Sequence, residues 1–485
     1  MNSFPLSRSG ASDNGAVVYS GAAVTTTQRL MQPTSHQLTS AEKKAATALA
    51  LVFSSRMLGL FMLLPVFAIY GSELAGFSPL WIGLAIGAYG FTQALLQIPM
   101  GWLSDKIGRH QVMLLGLGLF ALGSVVAALA DSVYMVTFGR VLQGAGAIAG
   151  AVLALAADLT REEQRPKVMA IIGMSIGLSF AAAMVLGPMI AARAGLSGVF
   201  WFTAVMAVLA MGLVLRTPKA INQAPQRETL AVPALLGKLL RSPQLLRLNL
   251  GILLLHFLLT ALFIALPQQL LALDFASETH WQLYLPVLFA SFVLMVPMII
   301  VSVRRQQEVV FFRLALLLLL SAALLFWLGP AQLPLLATAL LLFFTGFNYL
   351  EASLPALLSR QAPAGQKGTA MGLYSSAQFF GAFLGGLVGG LVASRFGLPA
   401  VFVLSALLAT LWMCLTFGMT ITAKAERLSI KLPHNGDEEA KALLQQLSNL
   451  PGVIEATLVL QEQRCYLKVE AGRFDYQQLQ ALQQQ

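Results

Sequence analysis

The sequence predicts an all-α polytopic membrane protein, with twelve transmembrane helices in two parallel-repeat six-helix halves and a small C-terminal α+β ferredoxin-like domain. Three observations lead to this prediction. Hydrophobic residues make up 57% of the 485 positions and charged residues only 11%, and the mean hydropathy is +0.74. Apolar runs of about 20 residues, the length that crosses a bilayer, recur along the chain. One of these runs is also repeated further along the sequence.

Residues 1–44 are rich in Ser, Thr, Gly and Ala without a helical period, which predicts a disordered cytoplasmic arm. The sequence leaves open whether residues 1–40 are genuine. The apolar runs then fall at roughly 45–70, 80–103, 112–130, 133–157, 167–193, 197–216, 245–272, 280–303, 309–329, 332–359, 368–394 and 399–420. They predict a first six-helix half at 45–216, a polar cytoplasmic linker at 217–244 and a second half at 245–420.

The fifth apolar run is repeated in the eleventh. Residues 169–200 align without a gap with residues 371–402, a shift of 202 positions (371 − 169), and Gly195 and Gly397 are among the identities. A shift of this length covers six helices and the central linker. The two halves are therefore expected to be parallel repeats with the same topology.

Positive charge is concentrated on one side of the predicted bundle. Sixteen Lys and Arg residues, from Lys106 to Lys367, fall in the loops of one side, whereas Arg193 and Arg395 alone fall on the other. This is the bias expected of cytoplasmic loops, and it predicts that both termini are cytoplasmic. The net charge of +10 therefore reports membrane topology, and no nucleic-acid partner is expected.

The segment 427–485 has a different character and predicts a cytoplasmic β-α-β-β-α domain. Leu428 and Ile430 alternate as in a strand, and the following segments show helical and then alternating apolar spacing. So small a domain has a thin core, so we expect it to dock, bind a small ligand or self-associate. The two cysteines, Cys414 and Cys465, lie in different parts of the chain, so no disulfide framework, metal site or cofactor is predicted.

A tightly charged turn, Gly101–His110, separates the second and third apolar runs. Its aspartate, lysine and arginine are too costly to bury in hydrocarbon, so the turn is expected at the membrane surface. Gly101 and Gly108 allow helices to approach closely, and Asp105 and Arg109 can form an ion pair. Alternatively, the turn is merely solvated and orients its flanking helices.

This turn resembles the pattern G-x-L-[AS]-D-[RK]-x-G-R-[RK] found between helices 2 and 3 of major facilitator superfamily transporters; only His110 departs from it. Two further motifs extend the resemblance. Arg140–Gly146 resembles the R-x-x-Q-G-x-G stretch of the family's fourth helix, which is tied there to proton coupling, although a purely structural arginine is the alternative. Gly187 and Pro188 match part of the family's antiporter signature in helix 5, without its closing glycines.

Ionisable groups deep in apolar runs are costly and therefore functional candidates. We single out five residues for a proton and substrate cavity: Arg56, Arg140, His256, Glu351 and, beside Glu351, Asn348. Glu351 could take up and release a proton, or it could be permanently paired with an arginine such as Arg56. His256 could share the proton, or it could be a neutral histidine bonded across helices. The sequence does not rank Glu351 and His256.

The resemblance also implies a conformational latch. In the family, an acidic residue at the position of Asp158 pairs with the arginine of the 2–3 turn, here Arg109. Asp105 would then face the start of span 11 near Gly368 and Gly372, where the helix N-terminus favours an anion. Such a network would hold the two halves together in the outward-facing state. Its alternative is a set of surface ion pairs worth about 0–1 kcal/mol each.

The resemblance covers about residues 45–420 and is to the twelve-helix drug:proton antiporter branch of the superfamily, including members with a cytoplasmic tail domain. It implies a bacterial inner-membrane protein that exports a small amphiphilic solute in exchange for protons by alternating access. A proton-coupled or passive importer, and a non-transporting sensor that signals through the tail, are the alternatives. Neither enzymatic activity nor an oligomeric transport unit is expected. The sequence specifies neither the solute nor the proton stoichiometry.

Overall fold

The computed structural model describes residues 37–161, 164–218, 236–329, 332–364, 366–419, 425–431, 437–459, 464–470, 473–475 and 478–479. We number its membrane spans in chain order. They are span 1 (Ser40–Met62 continued by Leu64–Tyr70), span 2 (Pro79–Ile107), span 3 (Arg109–Ala128), span 4 (Val133–Ala145 and Ala149–Asp158), spans 5 and 6 (together Arg165–Arg216), span 7 (Pro243–Leu271), span 8 (Trp281–Arg304), span 9 (Glu308–Leu328), span 10 (Leu333–Gln361), span 11 (Lys367–Phe396) and span 12 (Leu398–Leu415).

The helical stretch Arg165–Arg216 contains two spans. Its 52 residues would extend about 78 Å as one straight helix, more than twice the bilayer core of about 30 Å. The stretch breaks at Gly195, whose φ of 63° is non-helical. Gly397, which is 202 positions later, has a φ of 82° and separates spans 11 and 12. Both turns need a residue without a Cβ, which explains the repeated glycine. The prediction of twelve spans is confirmed.

Span 1 begins earlier than the sequence analysis predicted. Residues 40–44, assigned there to a disordered arm, are helical because Thr39 and Glu42 form a capping box. Glu42 also forms an ion pair with Arg161 after span 4, with Oε1 2.9 Å from Nε. The rest of the predicted arm, residues 1–36, lies outside the described residues.

The charged segment Gly101–His110, predicted as a turn, is helical except at Gly108, whose φ of 103° separates spans 2 and 3. We keep the name charged turn for this segment, which lies at one face of the bundle, the basic face. At the other, the opposite face, the two halves are packed together along spans 2 and 11. Glycines make this approach possible: a Cβ at Gly87 would lie 2.8 Å from the carbonyl oxygen of Phe383, and one at Gly386 would collide with the carbonyl oxygen of Gly83. Small residues four apart are a recurrent device for close helix packing in membranes.

Polar and aromatic contacts also join the halves near the opposite face. The Tyr70 hydroxyl lies 3.2 Å from Oγ of Ser277, and Nε2 of Gln268 in span 7 donates to the Ala68 carbonyl of span 1 over 3.1 Å. Deeper in the bundle, the rings of Phe180 and Phe344 are 5.7 Å apart. Buried residues of both halves merge into one apolar cluster there. The bundle is therefore closed at the opposite face.

The linker contributes a short helix, Leu236–Leu240, and residues 219–235 of the predicted linker lie outside the described residues. The tail has strands β1 (Ala425–Lys431), β2 (Val453–Val459) and β3 (Arg464–Glu470), with the helix Asp437–Ser448 between β1 and β2.

The three strands form one sheet in the order β1-β3-β2, and β3 is antiparallel to both neighbours. This is the split βαβ arrangement of ferredoxin-like domains, so the predicted class is confirmed. The final helix predicted near residue 475 lies mostly outside the described residues.

The tail domain contacts the turn between spans 10 and 11. The backbone N–H of Ala364 donates to Oε2 of Glu455 over 3.1 Å, and Ala364 packs against Tyr466, each about 1% exposed. The other face of β3 is buried in the tail's own core through Cys465, Leu467 and Val469. The sheet therefore uses one face for its core and the other for docking.

Candidate functional site

A cavity of about 810 Å³ lies between the two halves, within the usual range for small-molecule sites. Spans 1, 2, 4, 5, 7, 10 and 11 line it, together with Arg109 at the start of span 3. At the basic face its lining includes Asp105, Arg109, Arg165, Lys367 and Gly368. Because the opposite face is closed, the structure has the cavity accessible from the basic face.

Glu351, His256 and Gln378 form a polar cluster on the wall that belongs to the second half. Nε2 of Gln378 lies 2.9 Å from Nε2 of His256 and donates to Oε1 of Glu351 over 3.1 Å. Oε2 of Glu351 lies 3.9 Å from Nδ1 of His256. The Glu351 side chain is 37% exposed and lines the cavity. It is therefore a carboxyl group inside the membrane-spanning region that the cavity can reach.

Arg140 provides the charge on the facing wall, which belongs to the first half. It is 1% exposed, and its Nη1 donates to Oε1 of Gln143 over 2.7 Å while Nε donates to the Ala85 carbonyl over 3.3 Å. Its guanidinium carbon lies 4.9 Å from the centre of the Tyr89 ring. The local sequence explains this position, because Gln143 is three residues further along the same helix and so lies beside Arg140.

Arg56 is not among the residues that line the cavity, which differs from the expectation. It donates to Oε1 of Gln93 and faces the rings of Tyr89 and Phe120, whose centres are 5.6 and 5.8 Å from its guanidinium carbon. The cavity side of span 1 is formed instead by Phe53, Met57, Leu60, Phe61 and Leu64, which follow helical spacing. Arg56 lies beside this stripe and points into the first half, so it does not pair with Glu351.

Asn348 also differs from the expectation. Its Nδ2 donates to Oγ of Ser291 in span 8 over 2.9 Å, and it is not among the cavity-lining residues. Three residues correspond to about 300° around a helix, so Asn348 and Glu351 diverge by about 60°. This angle directs Glu351 towards the cavity and Asn348 towards a neighbouring span.

Arg109 is the centre of the charged turn. It forms an ion pair with Asp105, donates to Oγ of Ser104 over 2.7 Å and places Nε 3.4 Å from Oδ2 of Asp158. Nε2 of His110, the residue that departs from the family pattern, lies 3.1 Å from the Thr217 carbonyl after span 6. The turn is thus bonded to the ends of spans 4 and 6 within its own half.

The remaining latch positions line the mouth of the cavity. Gly368 and Gly372 line the cavity near its mouth, as Gly101 and Asp105 do on the other wall. Asp105 is bonded to Arg109 of its own half. A Cβ at Gly101 would have no neighbour within 4 Å, but one at Gly150 of span 4 would lie 3.6 Å from the Gly101 Cα. The close approach at Gly101 is therefore made within the first half.

The second half has an ion pair that the sequence analysis missed. Nη2 of Arg360 at the end of span 10 lies 2.7 Å from both carboxylate oxygens of Glu308 at the start of span 9. Arg360 is 202 positions after Asp158, so the pair occupies the place of the Arg109–Asp158 contact with the charges exchanged. The repeat could have revealed it, had the two halves been compared at their charged ends.

Two other groups were also missed. Gln378 contacts Glu351 and His256, and the ring of Tyr89 lies beside Arg56 and Arg140. Neither residue belongs to a sequence motif, so the sequence offered no reason to select them. The glycines of spans 2 and 11 did carry a signal, because Gly83 and Gly87, like Gly386 and Gly390, are four residues apart. The predicted Gly187–Pro188 motif packs inside the first half: a Cβ at Gly187 would lie 2.6 Å from the Met62 carbonyl oxygen.

Comparison with known proteins agrees with this architecture. A profile of the Major Facilitator Superfamily matches residues 49–385 and 311–454. The chain is 42% identical over 447 residues to the inner membrane transport protein YajR of Escherichia coli K12, covering 91% of this chain and 98% of that protein. It is 34% identical over 346 residues to an uncharacterized transporter of Buchnera aphidicola (subspecies Acyrthosiphon pisum), covering 71% and 89%. The predicted family resemblance is confirmed.

Solved structures show the same fold. The human organic anion transporter MFSD10 matches with a TM-score of 0.58 and 26% identity, covering 77% of this chain and 99% of that one. A bacterial homologue of the human lysosomal transporter Spinster, in an inward-facing and occupied conformation, matches with a TM-score of 0.66 and 14% identity, covering 79% and 97%. At 14% identity the second likeness concerns the fold alone.

Proposed function

The chain belongs to the major facilitator superfamily of membrane transporters, and from this premise we propose that it is a proton-coupled secondary transporter that exports a small amphiphilic solute in exchange for protons. One observation carries the proposal: Glu351 presents a titratable carboxyl group to the central cavity beside His256. A buried ionisable group that reaches a transport pathway is the usual way in which a membrane protein handles protons.

Alternating access gives this carboxyl group its role. The two six-helix halves would rock about the cavity, which is open here towards the basic face, the side that we assign to the cytoplasm of a bacterium with the protein in its inner membrane. Protonation of Glu351 removes a charge from the cavity wall and so changes the relative free energies of the two access states. His256 and Gln378 contact the carboxyl group and would adjust this balance. The transport unit is proposed to be the monomer.

The contacts of the charged turn would differ between the two access states. With the basic face open, Asp105 is held by Arg109. When that face closes, the start of span 11 at Gly368 and Gly372 would approach Asp105, and the positive end of the helix would favour its carboxylate. The network would then stabilise the outward-facing state. The tail domain, which touches the turn before span 11 through Glu455, is placed to influence this step, and we assign it a regulatory role.

A second candidate direction, proton-coupled uptake, is favoured by the charge of Arg140. A cationic solute and a proton would both be attracted by the Glu351 carboxylate, so each would displace the other. Such competition is what exchange of solute for protons requires. An anionic solute would instead bind most readily with Glu351 protonated, so that solute and proton would travel together. The similar human structure is described as an organic anion transporter, so anions belong among the candidate solutes.

The test is proton movement in liposomes containing the purified full chain and a pH-sensitive dye. Lipophilic cations, organic anions and neutral amphiphiles are added in turn to the wild type, to Glu351→Gln and to Glu278→Gln. Glu278 is exposed beyond the opposite face, so its substitution is the matched control for losing a carboxyl group. Solute-driven proton movement that is lost only in Glu351→Gln supports the proposal, and its sign gives the direction. Proton movement that persists in Glu351→Gln would refute it.

A further inference from the structure

We infer that the cavity binds an anionic group of its solute at Arg140, so that the solute is an amphiphilic organic anion. The inference rests on the proposed transport function for its context. It favours the second direction proposed above, joint uptake of solute and proton, because an anion binds most readily when Glu351 is protonated.

Two arginines are buried inside the first half. Arg56 and Arg140 are 2% and 1% exposed. Their hydrogen-bond acceptors are neutral: the amide oxygens of Gln93 and Gln143 and the carbonyl of Ala85. Within the described part of the chain, neither guanidinium is within ion-pair distance of a carboxylate. A buried charge is normally paired, because removing it from water costs several kcal/mol.

Arg140 keeps part of its guanidinium group available to the cavity. Its hydrogen bonds use Nε and Nη1, so Nη2 has no protein acceptor among the described residues. Arg140 also lines the cavity. A guanidinium group presents a planar fork that matches carboxylate, sulfonate and phosphate oxygens, and its bonds to them are stronger than bonds to neutral acceptors. Arg140 therefore offers an unused donor at the place where a solute would sit.

A second cation, Arg56, lies close to Arg140. Arg56 and Arg140 both face the ring of Tyr89, at 5.6 and 4.9 Å from its centre. Two positive charges around one neutral ring raise the potential of the adjoining cavity wall, and low-dielectric surroundings screen that potential poorly. Contact with the ring faces reduces the cost of burying the cations but does not neutralise them. A ligand anion would do so.

The rest of the lining defines the remainder of the ligand. Apolar side chains from both halves, including Phe53, Phe61, Ile86, Met371 and Phe379, surround the polar groups. A fully hydrophilic anion would leave the apolar lining of the cavity exposed to water. An anion carrying an aromatic or aliphatic body would cover it, which gains the free energy of apolar burial. The site thus fits one anionic head beside an apolar body.

The experiment compares three probes with the same apolar body: naphthoate, naphthylmethylamine and naphthylmethanol. Their dissociation constants for the purified full chain in nanodiscs are measured by calorimetry, without a proton gradient. We expect the anion to bind at least about tenfold more tightly than the neutral and cationic probes, which corresponds to about 1.4 kcal/mol. Arg140→Gln should remove this preference and Arg140→Lys should retain part of it. Arg193→Gln, an exposed arginine near the opposite face, should leave it unchanged.

Three results would overturn the inference: equal binding of the three probes to the wild type, a preference for the amine, or an anion preference that survives in folded Arg140→Gln. Thermal unfolding of each variant in nanodiscs establishes folding, and Arg140→Lys provides a charged variant should the glutamine variant not fold. Failure here is separate from failure of the proposed function. Loss of the anion preference leaves solute-driven proton movement intact, whereas absent proton coupling does not alter equilibrium binding without a gradient.

Discussion

Oε2 of Glu351 and Nδ1 of His256 lie 3.9 Å apart, while the side-chain amide of Gln378 contacts both residues. The separation is too long for a direct hydrogen bond yet short enough for strong electrostatic interaction. The carboxylate and the imidazole are therefore neighbours with one amide partner in common, and both are candidates for the proton in the proposed cycle. Gln378, in span 11, joins this pair to the span that packs against the first half.

The Glu351 carboxyl group should be needed for coupling but not for solute binding. We expect Glu351→Gln to retain solute counterflow in liposomes without a pH gradient. In contrast, the accumulation of solute that a pH gradient drives should fall at least about tenfold in this variant. The physical reason is that the neutral amide mimics the protonated carboxyl group but has no proton to release. Counterflow and gradient-driven uptake measured on the same preparation separate the two effects. Equal loss of both rates would point to a binding role instead.

The glycines of spans 2 and 11 should control closure of the opposite face. A leucine at Gly87 would collide with the Phe383 carbonyl oxygen, so Gly87→Leu should disfavour the conformation described here. The readout is labelling of Ser375→Cys, a cavity-lining position, by an impermeant thiol reagent added to either side, in a background without Cys414 and Cys465. Labelling from the opposite face should rise several-fold.

Gly118→Leu is the matched control for the Gly87→Leu substitution. A Cβ at Gly118 would have no neighbour within 4 Å, so the same leucine there should leave the labelling pattern of Ser375→Cys as in the wild type. If both leucine variants change the pattern alike, the effect comes from general destabilisation and not from the interface between spans 2 and 11.

The Glu308–Arg360 pair should stabilise the second half modestly. The side chains are 18% and 26% exposed, so we expect an interaction of about 1 kcal/mol, at the upper end for exposed pairs. A double-mutant cycle with Glu308→Gln and Arg360→Gln, followed by thermal unfolding in detergent, measures it. The double variant should be destabilised by less than the sum of the single ones. Strict additivity would mean that the pair contributes nothing.

The tail cysteine should be unreactive in the folded domain. Burial in the tail's apolar core raises the pKa of Cys465 from 9.0 to about 11, so almost no thiolate exists at neutral pH. Because folding favours the protonated thiol, its contribution to tail stability is complete below pH 9 and declines as the pH rises towards 11. Alkylation of Cys465, followed by mass spectrometry in a Cys414→Ser background, should be slow at pH 7 and accelerate above pH 9.

Cys465→Ala is the control for the pH dependence of tail stability. Cys465→Ala removes the titrating group, so the loss of tail stability above pH 9, followed by proteolysis of the tail, should be smaller in that variant. Rapid alkylation of Cys465 at pH 7 in the absence of denaturant would show that the tail core opens readily, contrary to its burial.

The tail contact should affect transport through span 11. Glu455→Ala removes the acceptor for the Ala364 backbone N–H and should loosen docking, which would be seen as faster hydrogen exchange in the turn between spans 10 and 11. If docking regulates access, transport rates should change in the same variant, whereas Glu278→Ala, which is exposed beyond the opposite face, should change neither. Faster exchange with unchanged transport would remove the tail from the transport cycle.

The spans and the family were predictable because their determinants are local. Apolar runs of bilayer length are a property of contiguous sequence, and their bounds agree with the helices to within a few residues, apart from the capped start of span 1 at Thr39. The turn glycines Gly195 and Gly397 appeared as a repeat before their positive φ values were known. Charge asymmetry between loops required no contacts either.

The direction in which each polar side chain points was decided only by the tertiary structure. In a soluble helix the polar face marks the outside, but here lipid and protein core are both apolar, so hydropathy does not show which side of a span meets the cavity. Glu351 therefore reaches the cavity whereas Arg56 and Asn348 do not. Gln378 joined the site, and Glu308 met Arg360, because distant helices were brought together by packing. The sequence determined the spans and the groups available for chemistry; the packing of the two halves decided which of those groups meet.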